Sequence, residues 1–71
     1  MTNLFYIRLR SRKEFEGQIF IVGKCMKNLN ELIMSIQDRN FVMLRLPMRK
    51  GKTNDVLLNV REIEYVEELW E

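Results

Sequence analysis

Few side chains in this sequence are equipped for covalent chemistry. Cys25 is the single cysteine, Ser11 and Ser35 are the serines, and there is no histidine. A thiol or hydroxyl becomes a nucleophile when a neighbouring base activates it. Without histidine the commonest general base, metal ligand and near-neutral proton switch are all missing. Lys24 beside Cys25 could raise the thiolate fraction, but a small apolar residue at a strand-to-helix junction explains Cys25 as well. One cysteine excludes an intramolecular disulfide and any cysteine-rich metal centre. The carboxylates Glu62, Glu64, Glu67, Glu68 and Glu71 cluster near the end. On a strand Glu62, Glu64 and Glu68 share a face and Glu67 takes the other, which reads as a solvated surface. Gly17, Gly23 and Gly51 are isolated, so no glycine-rich loop is available to cradle phosphate. These features argue against an enzyme, a metal, a cofactor or a small-molecule substrate.

Charge offers a second kind of chemistry. Twelve Lys and Arg face ten Asp and Glu, a net charge of only +2, but the distribution is uneven. Residues 36–52 hold five cations and one carboxylate, whereas residues 53–71 hold one cation and six carboxylates. Arg8, Arg10, Arg12 and Lys13 cluster early, and Arg49, Lys50 and Lys52 cluster late. Tyr6 is interleaved with Arg8 and Arg10 and could stack a base. A small barrel with such a surface would bind RNA or single-stranded DNA. The competing reading pairs the basic hairpins with the acidic last strand, within one subunit or across an interface.

The elements that must position these groups follow from periodicity. Phe5, Ile7 and Leu9 alternate with Tyr6, Arg8 and Arg10, predicting a strand over 4–10. Ser11-Arg12-Lys13 is short and polar, as a hairpin turn requires. A second strand is predicted over 15–22, where Gly17 marks a bulge or a close backbone approach. Gly23-Lys24 breaks the pattern. Leu29, Leu32, Ile33 and Ile36 then recur at helical spacing, predicting a helix over 29–37. Asn28 and Glu31 form a capping box at its start, and Asn40 is a candidate for a left-handed position after its end. Strands are expected over 41–46, 56–59 and 63–67, with one helical turn over 60–62. Pro47 belongs at a strand end.

The expected fold is therefore α+β and mainly β, with element order β-β-α-β-β-β. Five antiparallel strands form a sheet or half-open barrel carrying one short helix, in a single small domain spanning 1–71. No apolar run reaches the ~18 residues of a membrane span. The first residues lack the basic start and apolar centre of a signal peptide. Both points lead to the expectation of a cytoplasmic protein without a membrane partner.

Four segments carry a likeness: Glu16-Gly17-Gln18-Ile19, Asn28-Leu29-Asn30-Glu31-Leu32-Ile33, Asn40-Phe41-Val42-Met43-Leu44, and Leu58 through Val66. Together they resemble a family of small uncharacterised bacterial β-rich domains. Its members read as an EGxI strand, an LxDxLN helix, an FxxL strand and a final VNxxxIxxV unit. The resemblance covers residues 14–67. It implies a fold and no established activity or site.

A core this small leaves a monomer marginal. Ile19 to Val22 and Phe41 to Leu44 are apolar on both strand faces, so one set of side chains has no place in a one-sided core. Phe20, Val22, Val42 and Leu44 are the residues expected to meet a partner, with Trp70 as a further aromatic anchor. The expected function is a non-catalytic interaction or assembly module, a homo-oligomer or a binder of a protein partner. The alternative is nucleic-acid binding through Tyr6, Arg8, Arg10, Arg12, Lys13, Arg49, Lys50 and Lys52.

Overall fold

A computed structural model describes residues 3–47 and 49–69. Strand β1 (Phe5–Leu9) buries Phe5, Ile7 and Leu9 and leaves Tyr6 and Arg8 half-exposed, as a period of two dictates. The chain reverses at Arg12, whose φ is 77°. Leu9 N–H donates to Lys13 O at 2.9 Å, and Arg12 N–H donates to Leu9 O at 3.0 Å. Strand β2 (Glu14–Ile21) then changes neighbours midway. Residues 14–17 pair with β1, and Gln18 to Phe20 pair with the strand that follows the helix.

Gly17 is the joint between these two halves. A Cβ built on it would lie 2.4 Å from the carbonyl oxygen of Arg45 and 3.3 Å from a methyl of Leu44. Glycine is required here because two backbones approach, the second of the two readings, bulge or close approach, that its place inside a strand offered.

A two-residue strand that the periodicity did not foretell, β3 (Lys24–Cys25), folds back on β2. Val22 and Gly23 form the intervening turn with φ values of 52° and 76°. Two successive positive φ values define the turn that matches strand twist. A β-branched residue is a poor occupant of that conformation, so Val-Gly disguises a turn that Asn-Gly would have announced. Met26 N–H donates to Ile19 O at 2.8 Å, and Met26 is buried.

Helix α1 (Leu29–Ile36) starts at the Asn28 cap the sequence predicts, but Glu31 reaches back to Lys27 N–H instead of the Asn28 N–H of a reciprocal box. Glu31 N–H donates to Asn28 Oδ1 at 2.8 Å, and Lys27 N–H donates to Glu31 Oε1 at 3.0 Å. Leu29 N–H donates to Glu68 Oε1 at 2.8 Å, a cap from the far end of the chain. Leu32 is buried and Leu29 and Ile36 pack against the core, but Ile33 is 49% exposed and Met34 75%. The helix thus turns a narrower stripe inward than its spacing suggested. Asn40 does not take the left-handed position, since the helix closes with Gln37 still in right-handed geometry. Arg39 N–H donates to Ile36 O at 3.0 Å to tighten the last turn.

Strands β4 (Phe41–Pro47) and β5 (Thr53–Asn59) form a full-length hairpin, longer at β5 than apolar content suggested. Lys50 and Gly51 supply positive φ values at its tip. Asn59 Oδ1 accepts from Arg61 N–H at 2.9 Å and starts a 3₁₀ turn over Val60–Glu62. Strand β6 (Ile63–Glu68) returns to pair with β1, with a bulge between Arg8 and Leu9.

The sheet runs β5-β4-β2-β1-β6, with β3 beside β2, and each strand is antiparallel to its neighbours. Among the described residues it is an open, mainly-β fold of six strands and one α-helix, where five strands and one helix were expected. The sixth strand is β3, so the order becomes β-β-β-α-β-β-β. Phe5, Ile7, Ile19, Val42, Leu44 and Leu58 fill the inner face, and Met26 and Leu32 cover them. Among the described residues no helix is long and apolar enough to cross a membrane.

Candidate functional site

Register decides which apolar side chains the core leaves outside. Ile19 lies opposite Leu44, and Phe20 lies opposite Met43. Val42 lies opposite Leu58, and Met43 opposite Leu57. Ile19, Leu44, Val42 and Leu58 are all buried, so their neighbours one residue away point outward. Phe20, Met43 and Leu57 therefore form one row across three strands, and Cys25 continues it across β3. Phe41, 52% exposed, stands on the same face of β4, and Leu57 is 68% exposed.

This corrects the interface residues expected from the sequence. Val42 and Leu44 are core residues, closed to any partner. Phe20 does face outward and is half-buried. Val22 is exposed, at the tight turn rather than within a strand. Trp70 lies outside the described residues. Phe41 and Met43 lie in the segment Phe41 to Leu44 expected to carry the contact, but on the face not named, and Leu57 was missed. A signal for two of them was present: Arg45 shares the parity of Phe41 and Met43, and a cation in a two-faced apolar strand marks the wet side.

Arg45 closes the lower border of the row. Its guanidinium lies 4.5 Å from the Phe20 ring centroid and so shields that ring. Its Nε donates to Asp55 Oδ1 at 3.0 Å, and its Nη2 to Asp55 Oδ2 at 3.3 Å. The hydrogen bond from Arg45 holds the Asp55 carboxyl below its ordinary value, and the same bond raises Arg45. The pair satisfies its own charges within the sheet.

The other half of the outer face carries the first basic residues. Tyr6 and Tyr65 meet edge to face, with centroids 5.8 Å apart. Arg8 lies 5.0 Å from the Tyr65 centroid and 3.5 Å from Glu64 Oε1. Tyr65 Oη donates to Glu67 Oε1 at 3.1 Å, and that bond raises its pKa above the ordinary 10.0. Tyr6 also lies opposite Glu16, and Arg8 opposite Glu14. Glu14, Glu16, Glu64 and Glu67 thus surround Tyr6 and Arg8, two of the eight residues expected to meet a nucleic acid, and four carboxylates repel a phosphate backbone.

Arg10, Arg12 and Lys13 are exposed at the β1–β2 turn, and Lys50 and Lys52 at the β4–β5 tip. The first turn flanks β2 through β1 and the second through β4, on opposite sides of that strand; with Arg45 opposite Gln18, β4 runs on towards the Glu14 end of β2, the end that carries the β1–β2 turn. Arg49 lies at the tip, and its side chain is outside the described residues. Cys25 is half-buried with its Sγ directed to Met26 O at 3.7 Å. Among the described residues no three His, Cys, Asp or Glu side chains converge as a metal site would require.

Comparison with models of protein families, with curated proteins and with solved structures yields no match. The likeness to small bacterial β domains accordingly rests on the four segments that suggested it.

Proposed function

We propose that this chain is a non-catalytic assembly module that binds further copies of itself through the outer face of β2, β4 and β5. The observation that carries this reading is the row Phe20, Met43 and Leu57, flanked by Phe41 and ending on the edge strand β5. A contiguous apolar patch rimmed by polar groups is the usual mark of a contact surface. Here the rim is Arg45, Asp55 and Asn59, and the patch runs to β5, whose outer edge has no strand neighbour among the described residues, so a partner can bury side chains and backbone together.

Light scattering on eluting protein, with absorbance at 260 and 280 nm, tests this. The wild type is expected as a discrete oligomer with a protein-like absorbance ratio. Leu57→Lys, at an exposed position, is expected to weaken association tenfold or more without changing the circular dichroism spectrum. A monomer near 100 µM overturns the reading. Monomer carrying nucleic acid that high salt strips away would instead favour the exposed cations Arg10, Arg12, Lys13, Lys50 and Lys52 as a phosphate-binding surface.

A further inference from the structure

We propose, building on self-association, that two copies join edge to edge: β5 pairs antiparallel with β5 of a second copy about a two-fold axis at Val56. Strand β5 ends the sheet, and its outer side has no strand neighbour among the described residues. A free edge is a template for pairing unless proline, lysine or a bulge blunts it. Residues 53–59 contain no proline or lysine, and β5 pairs with β4 in unbroken register. Thr53, Asn54, Asp55, Leu57 and Asn59 are exposed, so the edge is open along its length.

The hydrogen bonds within the sheet fix which main-chain groups this edge offers. Successive residues of a strand aim their main-chain groups to opposite sides. Val22 and Gly23 make a two-residue turn, so Ile21 and Lys24 exchange bonds, and Met26 N–H donates to Ile19 O. Ile19 and Ile21 thus aim at β3, which leaves Gln18 and Phe20 aimed at β4. Their partners Arg45 and Met43 aim back at β2, so Val42, Leu44 and Leu46 aim at β5. Leu58, Val56 and Asn54 answer them, and Val60 N–H donates to Asn40 O in the same phase. The groups left on the open side belong to Thr53, Asp55, Leu57 and Asn59.

Few two-fold registers pair these residues with one another. An axis at Asp55 sets two carboxylates opposite, which is repulsive. An axis at Leu57 sets Thr53 against Arg61, which has left the strand for the 3₁₀ turn. The axis at Val56 sets Thr53 opposite Asn59 and Asp55 opposite Leu57, and it uses every outward N–H and C=O of the strand. Such an axis is normal to the sheet, so both outer faces stay on one side. Leu57 of one copy then lies diagonal to Leu57 of the other, within reach of a long side chain. The two rows of Phe20, Met43 and Leu57 become one band. The contact is isologous and consumes both edges, so it closes at a dimer. Lys50 and Lys52 precede the strand, and Arg61 and Glu62 follow it. Cations outnumber carboxylates at each end of the contact, so salt that screens them tightens the dimer.

Amide exchange read residue by residue at several concentrations, with light scattering, tests this. The wild type is expected as a dimer in which the amides of Thr53, Asp55, Leu57 and Asn59 slow at least tenfold as it forms. Those of Asn54, Val56 and Leu58, bonded to β4 in either state, should change less. In a Cys25→Ser background, Val56→Cys is expected to cross-link two copies on mild oxidation. Opposed residues of a non-hydrogen-bonded pair stand about 4.5 Å apart at Cα, within reach of a disulfide. Asn54→Cys should not cross-link, because its two copies lie four residues apart along the strands, about 13 Å. Association that rising salt abolishes overturns the edge contact. An oligomer whose outward amides stay unprotected, and whose Val56→Cys variant does not cross-link, also overturns it and leaves self-association standing. A monomeric wild type overturns both.

Discussion

On the β1–β6 half of the outer face, Tyr6, Arg8, Tyr65, Glu64 and Glu67 engage one another. On the β2–β4–β5 half, Arg45, Asp55 and Phe20 do the same, but Phe41 and Leu57 remain exposed. Both halves use alternating strands with a cation laid over an aromatic ring. They differ in what surrounds that ring. Polar neighbours close the first network, whereas apolar neighbours on adjacent strands extend the second into a patch. An exposed side chain invites a partner when its own sheet offers it nothing to bind.

The sharpest way to break this comparison lies within β4 itself. Leu44→Ala empties a fully buried site and is expected to cost about 2–5 kcal/mol in denaturant unfolding. Met43→Ala, one residue away on the outer face, is expected to cost under about 1 kcal/mol and yet to weaken self-association. Equal losses of stability would remove the distinction between the two faces.

Gly17→Ala tests the joint between the halves. Its Cβ would meet the Arg45 carbonyl, so strain of about 1–3 kcal/mol is expected. Amide exchange should rise at the β2–β4 pairing around Gln18 and Arg45 more than in β1–β6. Unchanged stability would mean that β2 can shift from β4 at no cost.

Val22→Asn sharpens the boundary of the patch. Asparagine tolerates positive φ where valine is strained, so a gain of about 1 kcal/mol is expected. An unchanged oligomer mass would assign Val22 to the turn, and a weakened oligomer would place it in the contact.

The smallest effects belong to the charged networks and appear at the extremes of pH. Asp55 is held below the ordinary carboxylate value of 3.8. Its contribution is full above that value and is lost as pH falls through the lowered one. Asp55→Asn should flatten this acid limb of the melting-temperature profile. Tyr65 is raised above 10.0, so its contribution is full below 10.0 and is lost as pH rises through the raised value. Phenolate absorbance should show Tyr65 titrating lower in Glu67→Gln, because the acceptor of its hydroxyl proton is no longer charged.

Local patterns in the sequence were enough to determine much of this molecule. Alternation in Phe5 to Leu9, the Asn28–Glu31 cap and the 3₁₀ turn after Asn59 are encoded within a few residues of where they act. The absence of histidine and the single cysteine narrowed the chemistry before any fold was known. Tertiary structure alone decided the rest. The run Phe41 to Leu44 is apolar on both faces, so its own period cannot say which face is inside. That choice is made by Ile19 against Leu44, on strands distant in sequence, and by Leu58 against Val42 across the β4–β5 hairpin. β3 was hidden because valine occupies a turn position that its side chain disfavours. The cap from Glu68 to the start of α1 joins residues 39 apart. Periodicity specifies a strand and its two faces, but only packing against other strands fixes which face meets water.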